Sequence, residues 1–238
     1  MKEWKGNKNA LKSQLAIDKE YTTKGRDKDD FYATDPVAVR RLVEGASGWL
    51  REIFRSCRYF FSYIEKGAQY ILYRNSREYE APGIWECAVG SCNLFDELLR
   101  LGYDVIGTDI KDRCGREPKE MLNIDFLKTD ISFTMEHSIG IILTNPPYSL
   151  ATEFIKHALE ILPDNGLYIA FMNISYLAGQ KRFTEVYING TLREIYIFSK
   201  RVECWRNNDK TRQTGSMANY AWYVFQKGYF GQPTLYWL

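Results

Sequence analysis

From residue 83 onward, runs of apolar residues alternate with segments of helical spacing. Gly83–Val89 reads as a strand and Asn93–Leu101 as a helix, with Leu94, Leu98, Leu99 and Leu101 apolar. Asp104–Asp109 is a short strand, and Ile139–Thr144 (IGIILT) is a fully buried one. Leu150–Leu162 places Leu150, Phe154, Ala158, Leu159 and Leu162 on one helical face. Asp164-Asn165-Gly166 turns the chain into Leu167–Met172, a second buried strand. Leu192–Phe198 and Ala218–Gln226 are aromatic and β-branched, and read as a closing pair of strands. Strands alternating with helices predict an α/β fold. The sheet should be mostly parallel, covered by helices on both faces, with an antiparallel hairpin at the C-terminus.

The first third is less regular. Residues 1–30 are polar, lysine-rich and poor in aliphatics, which predicts a flexible basic arm ahead of one domain over 31–238. A helix is expected over 34–44, with Thr34 or Asp35 as N-cap, Pro36 at the first helical position, and Val37, Val39, Leu42 and Val43 apolar. Residues 46–80 form an insertion without chemical motifs. Trp49, Ile53, Phe54, Phe60, Phe61 and Ile64 point there to helical packing, followed by a late strand.

Composition narrows the class. At 238 residues, with 45% hydrophobic and 26% charged, the chain can bury a full core. No apolar run approaches the roughly 18 residues of a membrane helix, and the polar start does not read as a signal peptide. A cytoplasmic protein is expected. The five cysteines (57, 87, 92, 114, 204) are scattered and lack a CxxC pair, so reduced thiols are expected rather than a disulfide framework or zinc site. Net charge is only +2, but residues 1–28 hold eight Lys/Arg against four Asp/Glu, and 200–212 hold five against two. Basic ends of this kind suit phosphate contacts; a solvated tail and a solvated loop are the plainer alternative.

Three features carry chemistry. In Trp85-Glu86-Cys87-Ala88-Val89-Gly90-Ser91-Cys92-Asn93-Leu94 a strand runs into a glycine-bearing turn and then a helix. Gly90 lets backbone approach a ligand, and the helix N-terminus beyond favours an anionic group, either a phosphate or the carboxylate of S-adenosylmethionine. The three-glycine dinucleotide fingerprint is missing, which argues against NAD. Asp109 ends the next strand 19 residues later, a spacing suited to ribose hydroxyls, though also to a simple strand-end cap.

The third feature is Asn145-Pro146-Pro147-Tyr148, directly after the buried strand. Two prolines cannot continue a ladder, so the Pro146 carbonyl and the Asn145 side-chain oxygen are both available as outward acceptors. An exocyclic amine needs two acceptors for its two N–H groups, which leaves its lone pair aimed at an electrophile. Tyr148 offers a flat face for a planar base or amide.

Together these segments resemble motifs I to IV of the class I methyltransferases that modify amino nitrogens, carried by Glu86-x-Ala88-x-Gly90, Asp109, Asp125-Phe126 and Asn145–Tyr148. Phe31-Tyr32-Ala33-Thr34-Asp35-Pro36 resembles motif X of adenine-specific DNA methyltransferases, and the order X, I, IV is that of small bacterial or phage N6-adenine enzymes. The resemblance implies a Rossmann-like class I methyltransferase fold with S-adenosylmethionine as cofactor. Glu86, Ala88 and Gly90 would line its methionine part, Asp109 with neighbouring Ile110 its ribose, and Asp125 and Phe126 its adenine, while Tyr32 and Thr34 would close over the methionine end. Asn145 and Pro146, with Pro147 fixing the turn, would bind the amine of an adenine flipped from duplex DNA onto Tyr148. No metal is called for. Cys92 replaces a second glycine of the family pattern and is expected to crowd the cofactor.

No separate recognition domain follows the last motif, so target reading would fall to a loop over 199–217. Lys200, Arg201, Trp205, Arg206, Lys210 and Arg212 are the candidate DNA contacts, and an ordinary exposed loop is the alternative. Two other activities stay open: methylation of an RNA base or a protein glutamine amide, and a catalytically silent nucleic-acid-binding module on the same fold.

Overall fold

A buried strand, β4 (Ile139–Thr144), sits inside a seven-stranded sheet. The computed structural model describes residues 32–57, 82–115, 123–206, 208 and 218–238. The expected basic arm and the late strand of the 46–80 insertion lie outside these residues. The other sheet strands are β2 (Gly83–Glu86), β3 (Val105–Gly107), β5 (Leu167–Asn173), β6 (Leu192–Ile197), β8 (Tyr220–Gln226) and β9 (Thr234–Trp237). Strands β3, β2, β4 and β5 pair in parallel, and β8 is antiparallel to both β5 and β6. This is the Rossmann-like α/β architecture, mostly parallel with an antiparallel C-terminal pair. One refinement matters: β8 inserts between β5 and β6, so the closing pair joins the sheet through its later member.

The apolar runs are continuous because both faces of the sheet are covered. Side chains alternate between two cores. Leu167, Ile169 and Phe171 of β5 and Trp222 and Val224 of β8 face one core; Tyr168, Ala170, Met172, Tyr223 and Phe225 face the other. The first core is closed by α1 (Val37–Gly45), α2 (Gly48–Ser56) and α3 (Asn93–Arg100), through Val39, Leu42, Leu50, Phe54, Leu94 and Leu98. The second is closed by α4 (Ala151–Ile161), through Phe154, Ile155, Ala158 and Ile161. Each fully buried side chain of this size contributes about 1.5–3 kcal/mol.

Local signals set the helix ends. Pro36 holds the N-cap position of α1, and Asp35 just before it accepts from the Val37 N–H at 2.9 Å. Thr34 instead belongs to a three-residue strand, β1 (Tyr32–Thr34), which pairs antiparallel with Cys204–Arg206. Ser47 caps α2 by accepting from the Leu50 N–H at 3.1 Å, which gives the chemically silent insertion a helix packed on the core. Among the described helices none is long and apolar enough to cross a membrane.

Strands β2, β3 and β4 end together at one edge of the sheet. The chain leaves β2 for β3 on one side and returns to β4 on the other, so a crevice opens between Glu86 and Thr144 where the connections diverge.

Candidate active site

That crevice is a cavity of about 360 Å³. It gathers every expected cofactor residue: Tyr32 and Thr34 from β1, Glu86, Ala88 and Gly90 from the glycine turn, and Asp109, Ile110, Asp125 and Phe126 from the following loops. Asn145, Pro146, Pro147 and Tyr148 form its far wall. These residues span more than a hundred positions, and the fold brings them to one space.

The glycine turn is built around a carboxylate. Gly90 has φ +53° and donates its N–H to Asp109 Oδ2 at 2.8 Å. Asp109 Oδ1 accepts from the Lys111 N–H at 2.9 Å and from Arg113 Nη1 at 3.1 Å. Asp109, 5% exposed, therefore organises the walls of the cavity through both oxygens. Sequence spacing offers a ribose ligand at this position and gives no sign of the Gly90 contact.

Glu86 ends β2 and is buried. Its Oε1 accepts from the Thr144 hydroxyl and from the Ala88 N–H at 3.3 Å, while Oε2 has no partner. Burial, with Asp109 close by, pushes its carboxyl up to about 8. An unpaired carboxyl oxygen in a closed space is costly unless a cationic or donor group meets it.

Asn145 is oriented from the opposite side. Its Nδ2 donates to the Tyr32 carbonyl and to Thr34 Oγ1, both at 2.9 Å, and its Oδ1 is buried without a partner. Pro147 leads into a 3₁₀ turn over Tyr148–Leu150, closed by the Leu150 N–H on the Pro147 carbonyl at 2.9 Å. The Tyr148 hydroxyl donates to Tyr220 at 3.1 Å, and its ring lies 5.4 Å from Tyr32 and 6.3 Å from Tyr220. Burial pushes the Tyr148 phenol well above its ordinary range.

Asp125 and Phe126 differ in setting. Asp125 accepts from the Leu127 N–H at 3.2 Å and pairs with Lys128, at the start of a 3₁₀ turn. Phe126 is core as well as wall: its ring packs on Trp85 and Phe154.

Two features escape sequence reading. The first is a two-stranded sheet of β1 with β7 (Cys204–Arg206), in the register Tyr32↔Arg206, Ala33↔Trp205, Thr34↔Cys204. The candidate recognition segment is thereby tied to the strand that holds Asn145. Lys200 and Arg201 are exposed, Trp205 Nε1 donates to Glu203 at 3.1 Å, and these three do not line the cavity. The side chain of Arg206, and all of Lys210 and Arg212, lie outside the described residues. The second is Asn93, whose Nδ2 donates to the Thr34 carbonyl at 3.1 Å from the start of α3.

The thiol expectation is corrected at one pair. Cys92 and Cys114 form a disulfide, with Cα atoms 5.8 Å apart, while Cys57, Cys87 and Cys204 are free. The partners are 22 residues apart, so no local spacing announces the bond. Cys92 sits in the left-handed region at φ +66°, and its side chain is bonded to Cys114; it does not line the cavity.

No protein-family model matches the chain, and no curated protein matches it. Solved structures do. A Listeria monocytogenes protein assigned to the class I S-adenosylmethionine-dependent methyltransferases is similar over 100% of this chain and 75% of its own, at TM-score 0.52 and 11% identity. The fold is that of a class I methyltransferase. A DrdV–DNA complex is similar to the same fold over 98% of this chain, at TM-score 0.54 and 13% identity, and the chain spans 31% of that protein. It spans 23% of the type IIG restriction endonuclease BpuSI, similar over 63% of this chain at TM-score 0.45 and 16% identity. In open α/β sheets, ligands bind in the crevice outside the carboxyl ends of the strands.

Proposed function

We propose that this chain transfers a methyl group from S-adenosylmethionine to the N6 amino group of adenine in DNA, with the target base flipped out and stacked on Tyr148. The observation that carries the reading is the Asn145 side chain. Its two N–H groups are taken by β1, and its buried Oδ1 is an acceptor that has no partner in the protein. A buried acceptor left unpaired at the wall of a cavity calls for a donor brought by substrate.

The residues also suit the cofactor. The unpaired Glu86 Oε2 is placed to receive the cationic methionine end, and Gly90 leaves room for backbone approach. Asp109, Asp125 and Phe126 line the rest of the cavity, with Tyr32 and Thr34 opposite. S-adenosylmethionine, when bound, supplies an electrophilic methyl on a sulfonium.

The chain's own part is positioning. Asn145 Oδ1 and the Pro146 carbonyl accept the two N–H groups of the target amine and leave its lone pair directed into the cavity. Tyr148, its hydroxyl held by Tyr220, presents a fixed ring for the base. Extruding the base costs a few kcal/mol, which stacking and the two hydrogen bonds offset. Preorganised acceptors and a fixed ring are the means of rate enhancement here, so no covalent nucleophile is needed. Lys200, Arg201, Trp205, Arg206, Lys210 and Arg212 are proposed as contacts to the duplex around the target, in the cytosol of a bacterium or an infected host.

The test is incubation with tritiated cofactor and separate pools of DNA, RNA and protein. Label in DNA, recovered as N6-methyladenine and lost with Asn145→Ala and Tyr148→Ala, is the expected result. Label confined to RNA or to a glutamine amide would move the same geometry to another planar amine. Calorimetry showing no S-adenosylmethionine binding, together with retained DNA binding, would leave a catalytically silent nucleic-acid-binding module.

A further inference from the structure

We propose that Thr34 is a positioning residue: its hydroxyl, with the Tyr32 carbonyl, sets which end of the Asn145 amide faces the reacting amine. This rests on the methyl-transfer reading above and deepens it by one residue. The two ends of an asparagine amide have nearly the same shape, and only the hydrogen-bond network tells them apart. Here the network decides. The Tyr32 carbonyl can only accept, so the group 2.9 Å from it is the nitrogen, not the oxygen. The second N–H then points at Thr34 Oγ1, also at 2.9 Å. Both donors are used, and the oxygen is left as the end that meets substrate.

Thr34 can do this because it is itself held. It is 2% exposed, and its carbonyl accepts from Asn93 Nδ2 at 3.1 Å. Across the small sheet it pairs with Cys204, and the Asp35 N–H donates to the Glu203 carbonyl at 3.1 Å just beyond. Cys204, the strand partner of Thr34, packs with Tyr148 against the core that holds Tyr220, so the same strand pair backs the Asn145–Tyr148 turn. Rotating the amide by half a turn would set Asn145 Oδ1 against the Tyr32 carbonyl, two acceptors facing each other. A rotamer fixed this way needs no reorganisation when substrate arrives, which is where positioned hydrogen bonds gain their catalytic value.

The decisive variant is Thr34→Val, which keeps the branched shape and removes the acceptor. One Asn145 N–H is then buried without a partner, and the amide tilts to relieve it. We expect kcat for methyl transfer, read at saturating cofactor, to fall roughly ten- to a hundredfold. Thr34→Ser, which restores the hydroxyl, should recover most of the loss. A second readout does not depend on turnover. The Asn145 side-chain amide resonances, identified by their disappearance in Asn145→Ala, should lose one hydrogen-bonded proton shift in Thr34→Val and regain it in Thr34→Ser. Unchanged amide resonances in Thr34→Val, or Thr34→Ser as impaired as Thr34→Val, would overturn the inference. A wild-type protein that methylates nothing would overturn the methyl-transfer reading instead, while the amide resonances would still decide the Thr34 contact.

Discussion

Glu86 and Thr144 face each other across the β2–β4 boundary, and the Thr144 hydroxyl donates to one carboxyl oxygen of Glu86 while the other oxygen stays unpaired. Thr144 immediately precedes Asn145, so this contact links the end of β2 to the Asn145–Tyr148 wall of the cavity. It also leaves Glu86 with a buried carboxyl that burial pushes up to about 8.

The first prediction follows from that carboxyl. Burial pushes Glu86 from 4.5 up to about 8 in the folded protein. It is therefore neutral in the unliganded protein at pH 7, and a cationic methionine end favours the ionised form. Cofactor affinity should rise with pH and level off above about 8, with a proton released on binding at pH 7. Titration calorimetry in buffers of different ionisation enthalpy reads that proton directly. Stability runs the opposite way. Between 4.5 and about 8 the native state holds a proton that the unfolded chain has lost, so the Glu86 contribution is fully present below 4.5 and is lost as pH rises to about 8. Glu86→Gln should flatten both profiles and weaken binding at high pH. A pH-independent cofactor Kd in the wild type would refute the assignment.

Asn145→Asp is the second. The change is small in volume but removes the donor end of the side chain, and a carboxylate cannot donate to the Tyr32 carbonyl. The anchor of β1 is lost with it. We expect a fall in stability of about 1–3 kcal/mol in a denaturant melt. Methyl transfer should drop at least as far as in Asn145→Ala, since a displaced acceptor is no better than none. An active Asn145→Asp with unchanged stability would show that the amide nitrogen is not used as described.

Much of this arrangement was legible in the residues. Ile139–Thr144, Leu167–Met172 and Ala218–Gln226 announce buried strands because both sheet faces are covered and the apolar run is continuous. Glu86, Gly90, Asp109 and Asn145 could be placed together because strand ends at a crossover converge. The rest depends on partners far along the chain. Strands of three residues, such as Tyr32–Thr34 and Cys204–Arg206, have no period to detect, and their register is fixed only when the two segments meet. The edge strand Thr234–Trp237 was hidden for a different reason: Leu235 and Trp237 are exposed, so the run carries no burial pattern. The Asp109 contact to Gly90 is a side chain bonding to backbone, which spacing alone cannot separate from ribose binding.

The third prediction concerns Gly107 at the end of β3. A Cβ built there would lie 2.8 Å from the Phe95 ring and 2.9 Å from Val89 Cγ1. Gly107→Ala must push α3 or the glycine turn away, at about 1–3 kcal/mol by the usual cost of overpacking. Because Val89 adjoins Gly90 and lines the cavity, cofactor affinity should fall together with the urea midpoint. A loss of stability with cofactor affinity intact would place the strain in α3 alone.

The last prediction tests the Cys92–Cys114 bond. It ties the residue before α3 to the segment that follows Asp109, and Arg113 within that segment pairs with Asp109. The bond closes a stretch of 22 residues, for which chain entropy gives about 3 kcal/mol. Reduction, which adds two electrons and two protons to give two thiols, removes that constraint but leaves the Gly90–Asp109 contact in place. The expected result is a lower melting temperature under dithiothreitol, matched by Cys114→Ser in the absence of reductant. Cofactor binding should weaken in the same samples, because Lys111 and Arg113 line the cavity on the freed segment. Cys57→Ser serves as control, since Cys57 is a free buried thiol far from this loop in sequence, and it should respond to dithiothreitol as the wild type does. If dithiothreitol left both melting and cofactor Kd of the wild type unchanged, the pair would not be bonded in solution, and the wall of the cavity would rest on Asp109 without it.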